Sequence, residues 1–377
     1  MGFRAPLAFY ISGHGFGHAS RDVEVINALR ARDPDLPIIV CTQVPAWLME
    51  ASLTHPVELR QVQCDTGLQQ LDSLHIDEAG SFLRAAEFYE NFETRAADEV
   101  EFLRERQVRL VLGDIPPLAF EAAGAAGLRS VAIGNFTWDW IYEGFPEHIA
   151  RYPELVPIIR DAYRRASIAL RLPMHGGFAG MEPITRDIPL IARQSQRSRA
   201  ESRRAIGLPD GPLLLLSFGG YGIRGIDPDI PGRLAGYTLV VTDDASGRAL
   251  WGEGVTWITG AQLRQAGCRY VDLVRAVDIV VTKPGYGIVS ECIANETAML
   301  YTPRGRFPEY EVLVGEMQRY GRCEFIDQEA LLAGRWEPYI QRLLAAPLPA
   351  ARPPLDGANV VAGMILETLT RSRKSRA

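Results

Sequence analysis

The chain has 377 residues, 47% hydrophobic and 23% charged, and 40 basic against 46 acidic side chains leave a net charge of −6. That length exceeds what one hydrophobic core usually fills, so two domains are expected, and the acidic balance offers nothing to nucleic acid. No apolar run approaches the ~18 residues of a membrane span. Cys41, Cys64, Cys268, Cys292 and Cys323 are scattered and never form a CxxC pair, which argues against disulfides or a zinc site and fits a reducing cytoplasm.

Leu7–Ile11 reads as a core strand rather than a signal peptide, because it runs straight into the glycine-rich turn SGHGFGHASR at 12–21. A helix-like stretch follows at 22–29. Strand, turn and helix in that order build a pocket at the carboxyl end of a parallel strand. Residues 38–41, 108–112 and 130–133 are further β-rich runs. One long helix is expected at about 82–106, where Phe82, Ala86, Tyr89, Ala96, Val100 and Leu103 recur near the helical period. Strands alternating with helices imply a parallel sheet covered on both faces. Pro173, Gly176, Gly177, Gly180, Pro183 and Pro189 then crowd together, and the domain boundary is placed near 185. A second series follows: an arginine-rich helix at 193–206, strands at 213–217, 237–242 and 277–281, a helix at 288–294 and a strand at 298–301. The expected class is α/β, two Rossmann-like doubly wound domains at 1–185 and 186–377 facing across a cleft.

The first turn carries His14 and His18, imidazoles able to move a proton near pH 7. His18 sits where the helix begins and would deprotonate an acceptor hydroxyl, with a carboxylate to hold its tautomer. Asp114, at the end of a β-run, is the candidate carboxylate, and His14 is a rival base or a phosphate contact. Structural hydrogen bonding is the alternative for both imidazoles. Gly15 and Phe16 between them are assigned to the acceptor side. Asn135-Phe-Thr-Trp-Asp-Trp140 interleaves aromatic and polar groups, as a sugar ring with apolar faces and polar edges requires. Asn135, Trp138 and Asp139 are thus acceptor candidates; packing at a domain interface, with Asp139 orienting a helix start, is the other reading.

In the second half, Lys283-Pro-Gly-Tyr-Gly-Ile-Val-Ser-Glu291 follows a strand and opens a helix. Gly285 and Gly287 leave the backbone unhindered, and the first-turn N–H groups can hold a diphosphate beside Lys283, Tyr286 and Ser290. Glu291 would accept hydrogen bonds from a ribose diol. Ser217-Phe-Gly-Gly-Tyr-Gly222 is the matching loop, in which Ser217, Gly219 and Gly220 would face the same diphosphate, and Tyr270 joins this donor group. Either turn could equally be a tight connection. Carboxylates in Pro308-Glu-Tyr-Glu311 suit sugar hydroxyls or are solvated loop charges. The acidic pair Asp243-Asp244 fits a nucleotide-bound cation poorly, so neither metal nor cofactor is expected.

GHGFGHASR at 13–21, GDIPPLAFEAAGAAGLRSVAIGNFTWDWIY at 113–142, RDIPL at 186–190 and KPGYGIVSE at 283–291 together resemble the glycosyltransferase-like N-terminal domain of plant and bacterial L-arabinokinases. The resemblance spans nearly the whole chain. More distantly the chain is similar to the transferase that adds N-acetylglucosamine to the peptidoglycan lipid precursor and to plant UDP-glycosyltransferases. This resemblance implies the GT-B architecture, with the last helix packing back on the first domain. It implies Glu291 on the donor ribose, 285–290 and 217–220 on the pyrophosphate, His18 as base and Asp114 as its support. Donor-sugar hydroxyls would fall to Glu309 and Tyr310, the tyrosine standing where those transferases often carry Gln. The sugar-kinase half of arabinokinases lies outside these 377 residues, so sugar phosphorylation is not expected. The expected reaction is metal-independent, inverting transfer from a UDP-linked sugar to an acceptor hydroxyl. A non-hydrolysing epimerase and a non-catalytic nucleotide-sugar sensor are the alternatives; acceptor and oligomeric state stay open.

Overall fold

The computed structural model describes residues 4–50, 52–219, 223–242 and 255–374. Two all-parallel sheets organise the chain. The first contains β1 (Leu7–Ile11), β2 (Ile38–Thr42), β3 (Glu58–Gln61), β4 (Leu110–Asp114), β5 (Ser130–Gly134), β6 (Ile168–Arg171) and β7 (Thr185–Asp187). Its spatial order is β3-β2-β1-β4-β5-β6-β7. The second contains β8 (Leu213–Ser217), β9 (Thr238–Thr242), β10 (Val255–Ile258), β11 (Ile279–Thr282), β12 (Ala298–Tyr301) and β13 (Cys323–Phe325), ordered β10-β9-β8-β11-β12-β13. Helices cover both faces, which is why β1, β2, β4 and β5 are buried at every residue and read as continuous apolar runs.

Each sheet reverses its strand order once, and ligands of doubly wound sheets bind at the carboxyl ends beside that reversal. In the first sheet it falls between β1 and β4, where Ile11 pairs with Asp114 and the Ser12 amide donates to the Asp114 carbonyl at 2.9 Å. In the second it falls between β8 and β11, where Ser217 pairs with Thr282. Strand register alone therefore delivers the first glycine turn beside Asp114, and the Ser217 loop beside the Lys283 turn.

Several elements differ from the sequence expectation. The 82–106 region is two helices, Glu78–Glu90 and Phe92–Glu105, broken at Asn91, whose side-chain amide donates to the Glu87 carbonyl at 3.2 Å. Asparagine offers the backbone such local alternatives to a helical bond. The 193–206 helix starts only at Arg199, where Ser198 and Glu201 form a capping box; the residues before it are not helical. Val277 belongs to the end of the preceding helix, its amide bonded to the Leu273 carbonyl, so β11 begins at Ile279. Pro308–Tyr320 is a helix and not a loop, with Glu309 buried in its first turn.

The last helix, Gly357–Lys374, packs Val361, Ala362 and Ile365 into the same buried cluster as Val25, Ile26 and Leu29 of the first helix, Gly17–Arg32. Among the described residues no helix is long and apolar enough to cross a membrane. The two halves meet at backbone distance. A Cβ built on Gly287, at the start of helix Tyr286–Ala294, would lie 3.2 Å from the Cα of Gly17, at the start of the first helix. Gly287→Val should therefore destabilise by about 1–3 kcal/mol through overpacking. Gly315→Ala, on a helix with nothing within 4 Å of its Cβ, should be neutral or stabilising by up to about 1 kcal/mol. Urea unfolding midpoints of the two variants check both.

Candidate functional site

The site begins at the β1–β4 reversal. His18, in the first turn of helix Gly17–Arg32, places Nδ1 2.8 Å from Oδ1 of Asp114, and both side chains are buried. One helical turn further, Arg21 donates through Nε and Nη2 to the two carboxylate oxygens of the same aspartate. Its Nη1 donates at 2.7 Å to Oδ1 of Asn135, whose amide donates at 2.8 Å to Oε1 of Glu309. A continuous buried network thus runs from His18 in the first half to Glu309 in the second.

The network selects a tautomer. Arg21 Nη2 also stands 2.9 Å from His18 Nδ1, but that nitrogen cannot donate to Asp114 and accept from Arg21 at once. The carboxylate is the stronger partner, so Nδ1 carries the proton and Nε2 is left as an acceptor. Burial pushes the Asp114 carboxyl up, but the Arg21 and His18 charges reverse it and hold it below the usual range. Asp22 is buried beside Asp114, and burial, the Asp114 charge and a hydrogen bond between the two carboxyl groups raise its carboxyl well above the ordinary value.

The second half contributes cations. Lys283, half-buried at the end of β11, donates to Oε1 of Gln70 at 2.9 Å, and burial with the Arg304 charge brings its ammonium down to about 7. Arg304 is buried, places its guanidinium carbon over the Phe307 ring 3.6 Å from the centroid, donates to the Pro284 carbonyl at 3.2 Å and sits 3.6 Å from Glu309. Both border Gly285, which opens helix Tyr286–Ala294 without a side-chain cap, and the first helix is likewise uncapped at Phe16. His14 stacks on Phe307 at 6.0 Å and meets Trp138 edge-on at 5.3 Å. Burial and the neighbouring Arg304, His18 and Lys283 charges keep its imidazole well below the usual histidine value.

Glu291 is buried and accepts at Oε1 from Arg193 Nε at 2.7 Å. The Arg193 guanidinium also lies 5.9 Å from the Tyr270 ring, and the Tyr270 hydroxyl bonds Ser217 at 2.7 Å, so three of the donor candidates form one cluster. Ser290 spends its hydroxyl on the Gly287 carbonyl at 2.9 Å. The Tyr286 ring is buried under Arg21 at 5.1 Å. Gly219 adopts a left-handed φ of 72°, while Gly220 and the pair Asp243-Asp244 lie outside the described residues.

Three candidates, Asp139, Phe16 and Tyr310, stand apart from this centre. Asp139 accepts at 2.9 Å from Arg160 of a packing helix, Phe16 is exposed 6.0 Å from the Trp47 ring, and Tyr310 packs half-buried against the core. Trp138 is fully buried and donates to Asp65 at 2.9 Å. Gly15 takes a left-handed φ of 73°, which lets the turn bend between the two histidines. Arg21, Asp65, Arg193 and Arg304 went unread in the sequence; Arg21 was visible as the charged residue one turn beyond His18. Among the described residues, Glu78, Glu147 and His148 come close enough to share an ion, but Arg306 already pairs with Glu147. A cavity of about 680 Å³ beside helix Phe92–Glu105 contains no residue of either glycine turn, and its Glu93, Glu101, Glu105 and Glu121 outnumber Arg104, a balance unsuited to a phosphate.

No protein-family profile matches the chain. It is 29% identical over 382 residues to L-arabinokinase of Arabidopsis thaliana, an alignment covering 96% of this chain and 34% of that protein. The chain thus spans about a third of the length of that relative. Among solved structures it is similar to Phytolacca americana UGT2 complexed with UDP-2fluoro-glucose and pterostilbene, with 14% identity, TM-score 0.55, and 98% and 94% of the two chains covered. It is also similar to the spinosyn rhamnosyltransferase SpnG complexed with thymidine diphosphate (13% identity, TM-score 0.59, 97% and 96% covered). The glycosyltransferase SnogD from Streptomyces nogalater matches at 17% identity and TM-score 0.53, with 96% and 99% covered. The chain has the GT-B fold of glycosyltransferases.

Removing Arg21 strands a buried carboxylate. Arg21→Met should cost about 3–5 kcal/mol at pH 7, and Arg21→Lys less. Because the Asp114 pKa is depressed on folding, its contribution is present above the unfolded value of about 4 and is lost as pH falls through the lower folded value. Urea unfolding at pH 7 and at pH 3 should show that acid-side loss in the native chain and a smaller one in Arg21→Met.

Proposed function

We propose that the chain is a metal-independent glycosyltransferase that moves a sugar from a nucleoside-diphosphate donor, UDP-linked, to an acceptor hydroxyl with inversion. The observation that carries this reading is the pair of cations, Lys283 and Arg304, at the uncapped start of helix Tyr286–Ala294, with Gly17 and Gly287 bringing the His18 turn against it. Positive charge gathered at a helix N-terminus suits a diphosphate. Similarity in fold to structures that hold a UDP-sugar analogue and thymidine diphosphate supports a pyrimidine nucleotide.

The residues divide the work. Glu291, engaged by Arg193 at Oε1, would take a ribose hydroxyl at its other oxygen. Glu309, held by Asn135, would take hydroxyls of the donor sugar. Nε2 of His18 removes the acceptor proton while the acceptor oxygen bonds to the anomeric carbon. The anomeric bond to the diphosphate breaks in the same step, and its electron pair leaves on the diphosphate oxygen. Lys283, Arg304 and the helix N-terminus receive that charge. Asp114 keeps the imidazole in the receiving tautomer and steadies the imidazolium. His14 stays neutral and serves as a hydrogen-bonding group. The scattered free cysteines suit a reducing compartment such as the cytoplasm.

Titration calorimetry with UDP should show binding that Glu291→Ala weakens about tenfold. His18→Ala should leave that binding intact and lower UDP release from a donor–acceptor pair by about 10²–10⁴. A bound diphosphate should drive the Lys283 equilibrium toward the charged form, so at pH 8 UDP binding should take up protons, and Lys283→Met should abolish that uptake. Failure of every nucleoside diphosphate to bind would sink the proposal.

A further inference from the structure

Beside the first glycine turn, on the first-half side, lies a cavity of about 310 Å³ lined by His14, Gln43, Gln63, Asp65, Gln70 and Arg84 among others. It is bounded by the segment that links β3 to helix Glu78–Glu90. His14 in its wall belongs to the same glycine turn as His18, four residues before it. Gly67 is in the left-handed region at φ 59°, and a Cβ there would stand 2.6 Å from His14 Nδ1. The wall thus closes directly onto that imidazole. Gln70 accepts from Lys283, which ties the cavity to the diphosphate side.

We infer that this cavity seats the acceptor and that the acceptor is a small uncharged polyhydroxylated molecule, the size of a monosaccharide or cyclic polyol. The inference rests on the glycosyltransferase reading and names its acceptor class. Leu68 supplies the one aliphatic side chain of the lining, and no Phe, Tyr or Trp lines it. The amides of Gln43, Gln63, Gln69 and Gln70 each carry donors and an acceptor, the same dual character that every sugar hydroxyl presents. A flat apolar acceptor would desolvate those amides without pairing them. The volume sits at the small end of the ~300–1,000 Å³ usual for ligand sites, which excludes a large aglycone. One carboxylate, Asp65, and one guanidinium, Arg84, leave no net charge to select an ion.

Saturation-transfer NMR on the full chain, with and without UDP, tests this using D-xylose, D-glucose and myo-inositol as probes and p-nitrophenol as the apolar control. Saturation should pass to at least one polyol and not to p-nitrophenol. Gln63→Leu and the exposed-site variant Gln43→Leu should each weaken polyol binding roughly three- to tenfold, the value of one hydrogen bond. Gln63→Asn should restore part of it. Transfer to p-nitrophenol alone, to no probe, or to polyols with undiminished affinity in both leucine variants overturns the inference. If UDP binds and the polyols do not, this inference falls alone. If polyols bind with the stated sensitivity and no nucleotide does, the acceptor site stands as a polyol site and the transferase reading falls.

Discussion

Everything near the candidate site hangs on the buried ion pair between Arg21 and Asp114. Buried charges are costly unless each is matched, and here one guanidinium satisfies a carboxylate, an amide and, through that amide, the carboxylate of Glu309. The arrangement links helix Gly17–Arg32, the ends of β4 and β5, and helix Pro308–Tyr320 with groups that have no solvent to fall back on. Such a network tolerates few alternatives, because displacing any member leaves another unpaired in a low-dielectric interior. Its chemical consequence is the orientation of His18, with Nδ1 committed to Asp114 and Nε2 available.

The same economy explains why the site lies between two sheets rather than within one. Each sheet reverses strand order at one place, and at that place two loops diverge and expose backbone groups. The first reversal supplies imidazoles and a carboxylate; the second supplies glycines, a lysine and an uncapped helix. Neither set would complete the proposed transfer alone. A base without a stabilised leaving group is as ineffective as a phosphate cradle without a base. Glycines at 17 and 287 let the two helix starts approach to backbone distance, and the last helix returns to hold the halves in one cluster. The segment from 62 to 77 crosses in the other direction: Leu74 enters the core of the second half, and Ser73 bonds the Phe218 carbonyl.

Much of this was legible from residue order. Strand, turn and helix follow each other at 7–32 and again at 279–294, and alternation of apolar strands with helices dictates parallel sheets. Histidines in a glycine turn and an aspartate at a strand end could be paired on paper, because a doubly wound sheet places successive carboxyl ends side by side. Less legible were short edge strands such as Glu58–Gln61, whose sequence ELRQ carries one apolar residue, and the break at Asn91, where the apolar spacing runs on unbroken through two helices. For Glu309 the sequence leaves a sugar-facing carboxylate and a solvated loop charge both open; Pro308 at the first helical position starts a helix there, and the burial of Glu309 rules out the solvated charge.

The sequence by itself determined the architecture, since hydrophobic period and turn chemistry act over a few residues and survive any tertiary context. It also marked which turns carry chemistry-bearing groups. Tertiary structure alone decided the partners: Arg21 on Asp114, Arg193 on Glu291, Arg304 on Phe307 and Lys283 on Gln70. Three of these four pairs join residues more than ninety positions apart, and Arg304 meets its ring from three positions away only because the fold buries both. An arginine in a sequence is by default a solvated surface charge. Only packing, by removing the water, turns it into a group that must find a carboxylate or a ring face.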